Sequence, residues 1–247
     1  MSAGYWTSLA VLNQAAGELG LPQYPTIVGI DNVQSVQLLA LLNAAGNELY
    51  LYYPWEQFHK EATWVTVDSQ GDYALPDDWG YFVDQTQWDR TNHWPLLGPK
   101  SAQEWAWLKG GLIASAPRTR YRVREGTLLI WPVPPVGHTS ITLAMEYVSK
   151  YWIGATGTET GIQDMVDHDT DIMLYNPWLL IKYLKLKYYE LKGFDTTNVQ
   201  SDFMRIFNAL TGKDVGGPIL SLARQQSTVY VGPWSVPDGS WNVFGGP

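Results

Sequence analysis

Four aspartates fall within eight residues: Asp164, Asp167, Asp169 and Asp171. Clustered carboxylates suggest a calcium loop, whose sixth position must be glycine and whose twelfth must be glutamate. Counted from Asp167, those positions hold Ile172 and Trp178, so an EF-hand is excluded. The cluster reads instead as an acidic loop capping the helix that follows Asn176, with a second use as a contact between subunits. The four histidines, His59, His93, His138 and His168, fall in no metalloprotease or comparable metal spacing. The chain has no nucleophile elbow, phosphate-binding glycine loop or dinucleotide fingerprint. Acidic pairs such as Asp77-Asp78 are too common to argue glycosidase chemistry. There is no cysteine, which removes thiol catalysis, thiolate zinc sites and disulfides. No catalytic, metal or cofactor set emerges, and the expectation is a protein that is not an enzyme and carries no cofactor.

Two basic patterns remain. Arg118, Arg120, Arg122 and Arg124 stand at strict period two, which on a strand places them on one face. If Glu125-Gly126 is a two-residue turn, they face Thr127, Leu129 and Trp131, and Arg120 can stack on Trp131. The stripe is either a partner-facing surface for acidic groups or phosphates, or a solvated sheet face. Lys182, Lys185, Lys187 and Lys192 read as the solvated face of a helix, their stems lying on apolar surface; the alternative is a contact with nucleic acid or an acidic neighbour.

The composition frames these patterns. The 247 residues carry 16 Lys+Arg against 24 Asp+Glu, a net charge of −8. A protein built to grip DNA phosphates is normally basic, so DNA binding as such is not expected. Charged residues are only 16%, while aromatics reach 14%, including 13 Trp. So many amphipathic rings serve either a tryptophan-rich core or extra surface for partners. The N-terminal Met1-Ser2-Ala3-Gly4-Tyr5-Trp6 has no basic start or apolar core, so no signal peptide is expected. The apolar run from Val36 to Tyr53 is broken by Gln37, Asn43, Asn47 and Glu48, too polar to span a bilayer.

The positioning elements follow from periodicity. Leu9, Leu12, Ala16 and Leu19 predict a helix after Thr7-Ser8, ended by Gly20 and Pro22. Asp31-x-x-Gln34 resembles a capping box opening a helix to Tyr53, roughly 35 Å long. Its apolar residues fall on two faces, which predicts burial on two sides. Strands are predicted at Trp64–Val67, Tyr73–Pro76, Arg118–Arg124, Thr127–Trp131 and Ile141–Tyr147. Ser101-x-x-Glu104 opens a short helix to Lys109. Asn176-Pro177 opens a helix from Trp178 to Lys192, stopped by Gly193. Asp195 or Thr197 caps a last helix to about Leu210, stopped by Gly212. The remaining residues are poor in charge and rich in Gly and Pro, and carry Tyr230, Trp234, Trp241 and Phe244. They read as an extended arm whose rings dock on a partner, with Thr228–Val231 able to add to a sheet edge. The fold class expected is α+β: a helical bundle from the N- and C-terminal helices, with a β-rich insertion and an extended C-terminal arm. The boundaries are 1–58 for the N-terminal helices, 59–153 for the insertion, 154–213 for the acidic loop and C-terminal helices, and 214–247 for the arm.

The order of features resembles the head-to-tail adaptor (connector, or tail tubular A-like) proteins of short-tailed and related tailed bacteriophages. The stretches that carry it are Leu38–Leu49, Tyr73–Trp79, Pro95–Pro99, Glu146–Ile153, Asp167–Asp171 and Leu179–Asp195, together spanning about residues 9–215. The resemblance implies a structural virion protein of the neck or tail, assembled in the host cytoplasm. Such adaptors dock beneath the portal protein, usually as a ring of twelve, and present a platform to the tail tube or nozzle protein. DNA passes through the lumen, no membrane is involved, and the C-terminal extension commonly reaches the portal. An acidic wall would repel DNA and let it slide. Two other classes stay open: a tail accessory protein that binds carbohydrate through its aromatic rings, and a cell-wall hydrolase, for which no paired carboxylates are nominated.

Overall fold

The computed structural model describes residues 5–110, 118–155 and 160–214. The arm residues Tyr230, Trp234, Trp241 and Phe244, and the Thr228–Val231 strand expected there, lie outside the described residues. In chain order the elements are β1 (Trp6–Thr7), α1 (Ser8–Glu18), α2 (Val33–Tyr52), β2 (His59–Val65), β3 (Asp72–Ala74), β4 (Trp79–Phe82), β5 (Trp88–Asp89) and β6 (Trp94–Pro95). They continue with α3 (Ala102–Lys109), β7 (Arg120–Arg124), β8 (Thr127–Trp131), β9 (Thr142–Ser149), β10 (Ile153–Gly154), β11 (Gly161–Gln163), β12 (Ile172–Met173), α4 (Pro177–Lys192) and α5 (Thr197–Asp214). They form two units. One takes the chain up to Lys60, then Asp77–Tyr81, then from Tyr147 to Asp214; the other takes Glu61–Pro76 and Phe82–Glu146.

In the first unit α4 packs against α1, α2 and α5. It buries Leu179, Leu180, Ile181, Tyr183, Leu184 and Leu186, more than one stripe, as a central helix must. Burying one such aliphatic side chain stabilises by about 1.5–3 kcal/mol. Pro177 opens the helix, Asn176 Oδ1 accepts from the Trp178 amide, and Gly193 closes it at φ 69°, as the sequence predicts. The opening of α2 differs by one residue. Asn32, not Asp31, accepts from the amides of Gln34 and Ser35. The expected two-sided burial of α2 is not found. It buries one stripe, Ser35, Leu38, Leu42, Ala45, Gly46 and Leu49, and leaves Val33, Val36 and Leu51 exposed. Gly46 is there because a Cβ would lie 2.2 Å from the Trp152 ring, itself fully buried. Helix α5 runs through Gly212 to Asp214, past the stop predicted for it.

This unit also holds a four-stranded antiparallel sheet, ordered β1, β12, β10, β11. Trp6 pairs with Met173, and Ile153 with Met173 on the other side. The expected helical bundle with a β-rich insertion is therefore wrong: among the described residues five α-helices share the chain with three sheets, one of them in the helical unit itself. The physical reason is strand length. Strands of two residues contain no alternation to read, and they exist only through partners far away in sequence.

The second unit holds the sheet ordered β3, β8, β7 and, of a second sheet ordered β2, β9, β5, β6, the whole of β5 and β6 and most of β2 and β9. Strand β9 is central and buried at every residue from Leu143 to Ser149 except Glu146, so the predicted alternation is lost to burial on both faces. Tyr73, Leu96, Tyr121, Leu128, Ile130, Leu143 and Met145 form the core. Glu125 and Gly126, at φ 53° and 68°, make the predicted two-residue hairpin turn, whose geometry requires positive φ at both positions. Helix α3 begins with the predicted capping box, Ser101 accepting from the Glu104 amide and Glu104 accepting from the Ser101 amide.

Candidate functional site

A cleft of about 570 Å³ lies in the first unit. Four segments meet around it. Tyr5 and Trp6 come from β1 and its approach, Trp55 and Gln57 from the turn after α2, Leu174 to Leu179 from the start of α4, and Leu210, Lys213 and Asp214 from the end of α5. The Trp6 and Trp178 rings stand 5.6 Å apart at 59°. Beneath them Trp55 meets Tyr175 edge to face at 6.0 Å, and its indole N–H donates to the Leu49 carbonyl. Trp178 is 46% exposed and Trp6 partly exposed, whereas Trp55 and Tyr175 are buried, so the rings open at the wall are Trp6 and Trp178. Asp214 accepts from the Glu56 amide at 3.0 Å, which fixes the end of α5 at the rim. An apolar cleft with a few convergent polar groups is the usual form of a binding site. None of these residues was nominated from the sequence. The tryptophan count was the only signal, and it gave no positions.

The arginine stripe lies in the second unit where the spacing places it. Arg120, Arg122 and Arg124 pair in register with Trp131, Leu129 and Thr127, while Tyr121 and Val123 turn to the core. Arg118 is exposed just before β7. Among the described residues Arg124 alone of the four makes an ion pair, 3.8 Å to the exposed Glu125, a contact worth little. Nη1 of Arg120 and Nε1 of Trp131 are enclosed without a hydrogen-bond partner among the described residues. The expected stacking of Arg120 on Trp131 is not found; the cation–π contacts among the described residues come from Lys150, Lys187 and Lys192.

The acidic loop gathers backbone amides. Asp169 Oδ1 accepts from the amides of Ile27 and Val28, and Asp171 Oδ2 from those of Asp167 and His168 and from Gln163. Ser8 donates to the His168 and Asp171 carbonyls. Asn43 and Asn47 of α2 hold Val166 and Asp164, and Trp152 donates to the Asp164 carbonyl. Burial opposes ionisation of Asp169, but the hydrogen bonds from Thr26, Ile27 and Val28 outweigh it and hold its carboxyl below the usual range. Asp167, His168 and Asp171 bring possible metal-ligating atoms within 4.8 Å of one another. His168 lies 2.7 Å from Asp167, and the hydrogen bond and the carboxylate charge raise its pKa. Backbone amides occupy Asp171 Oδ2, and Gln163 and His168 occupy Asp167 Oδ1, so the cluster is satisfied as a structural knot.

Three polar clusters elsewhere are structural. Of the α4 lysines expected as a solvated face, Lys192 is exposed and the other three are paired. Lys182 and Lys185 meet Glu18 of α1 at 2.7 and 3.5 Å, and Lys187 meets Glu48 of α2 at 2.6 Å. In the first unit Asp78 receives Lys60 at 2.6 Å, Tyr147 at 2.8 Å and Ser149 at 2.9 Å. In the second unit Thr66 Oγ1 lies 2.8 Å from His138 Nε2, and His138 Nδ1 lies 2.6 Å from Asp68. That order matches a nucleophile, a base and an orienting acid. Yet Thr66 is 1% exposed and its oxygen already accepts from the Ile141 amide, so the group that would attack is closed to substrate. No helix among the described residues is long and apolar enough to cross a membrane.

The family model of the SU10 adaptor protein matches residues 7–235. The chain belongs to the SU10 adaptor family. Among curated proteins, none matches. This adaptor is a phage structural protein, a component of the virion neck that works with other phage structural proteins. The match covers the described part of both units from residue 7 onward. It also takes in Tyr230 and Trp234 of the arm and stops short of Trp241 and Phe244.

Proposed function

We propose that this adaptor forms a ring, a dodecamer, between the portal protein and the tail tube or nozzle protein, with a lumen through which DNA passes in transit. The family match over residues 7–235 carries the reading. The acidic balance, 24 acidic against 16 basic residues, supports it, because a like-charged wall does not retain a polyanion. The isolated chain is monomeric or weakly associated and assembles on its portal. Mixing it with the portal protein from the same source, followed by sedimentation and electron microscopy, tests this; a stacked ring is the expected result. Failure to co-sediment at micromolar concentration would count against the ring. The adaptor works by contact, without catalysis or cofactor. A reproducible glycan or peptidoglycan hydrolysis lost on changing one Asp, Glu or His would overturn that part.

A further inference from the structure

The geometry points to a clasp between copies: the aromatic cleft of one chain receives the Tyr230–Pro237 segment of a second copy. This rests on the ring reading above. The described structure ends at Asp214, on the rim of the cleft. Beyond it lie 33 residues in which Arg224 and Asp238 are the only charged side chains. The chosen segment sets Tyr230, Pro233, Trp234 and Pro237 close together. Aromatic-lined grooves are the usual receptors for proline-bearing extended peptides, which have little conformational entropy left to lose. The cleft offers the partly exposed Trp6 and Trp178 as that lining.

Charge argues for a second copy as the source. Each chain carries −8, so copies repel one another on balance. An apolar cleft and a charge-poor arm are parts that can join them without that cost. Symmetry argues the same way. One cleft and one arm per chain make a heterologous contact, the kind that closes into rings. The 21 residues from Asp214 to Ser235 span up to about 70 Å when extended.

The chain has no cysteine, so cross-linking can be made site-specific in the full-length protein. One preparation carries Gln57→Cys, an exposed wall position, and another carries Ser235→Cys, beside Trp234. The two are mixed, assembled with portal protein, oxidised, and read on non-reducing gels, with co-sedimentation measured on the same samples. A disulfide between the two preparations is the expected result. Adding Trp178→Ala to the first should cut its yield about tenfold, the factor 1.4 kcal/mol of lost contact corresponds to. Trp178 is half exposed, so that variant should fold. If a chain carrying both cysteines closes only on itself, the cleft takes its own arm and the proposal fails. If the chains co-sediment with portal and no disulfide forms, the arm docks elsewhere: the clasp falls and the adaptor ring stands. If the disulfide forms between chains that do not bind portal, the clasp stands and the portal docking in that reading falls. Neither disulfide nor co-sedimentation overturns both.

Discussion

Gly46 shows how one missing side chain can organise a core. It sits mid-helix, where glycine costs about 1 kcal/mol relative to alanine. Its absent Cβ makes room for the Trp152 ring, and its carbonyl accepts from the Tyr175 hydroxyl at 3.2 Å. Trp152 in turn holds the acidic loop through Asp164. Gly46→Ala gains helix propensity but places a methyl inside a ring that is enclosed on every side. Overpacking of this kind costs about 1–3 kcal/mol, so the variant should unfold at lower denaturant than the parent, read by urea titration. Asp169 makes a second prediction, about pH. Its carboxyl is held below the usual range in the folded chain. Its contribution is therefore complete above the ordinary aspartate pKa, about 3.9, and is lost as pH falls through the lowered value. Asp169→Asn should melt lower than the parent at pH 7, and the gap should close towards pH 3, as melting curves at the two pH values would show.

Elements whose signals are local are legible in the sequence. The Ser101 capping box, the Asn176-Pro177 start, the Gly193 stop and the Glu125-Gly126 turn each depend on residues within a few positions, and the structure has all four. Elements made by distant partners are not legible. Trp6-Thr7 is a strand only because Ile172-Met173 lies beside it, and three of the α4 lysines are paired because Glu18 and Glu48 stand on other helices. The cleft was missed for the same reason, since its walls come from four separate segments. The arginine strand is a local pattern with a non-local purpose. If it meets an acidic partner in the ring, changing Arg118, Arg120, Arg122 and Arg124 together to Ser should weaken docking, and more at 50 mM than at 500 mM salt, because exposed charges are screened. Sedimentation with portal at the two ionic strengths checks this. Equal docking, with the fold intact by circular dichroism, would leave the stripe a solvated face.

For the whole molecule, the division of labour between body and arm is testable. A stop after Asp214 keeps the Asp214–Glu56 contact and every buried residue of the two cores described above. The truncated chain should stay folded and soluble, yet lose stable assembly on the portal, with Trp234→Ala or Trp241→Ala giving part of that loss. Unfolding of the truncated chain would mean the arm belongs to its own core. Helices α1 and α2 carry a further consequence of their packing. Their apolar stripes are covered by α4, yet α2 ends at Tyr52 and α4 ends at Lys192. At about 5–20 residues per second, the ribosome needs on the order of ten seconds to deliver that partner. Through that interval the newborn N-terminal helices have no lid, so the earliest hazard in this protein's life comes during synthesis. A chaperone that holds the first fifty or so residues until α4 emerges would then govern how much adaptor an infected cell can make.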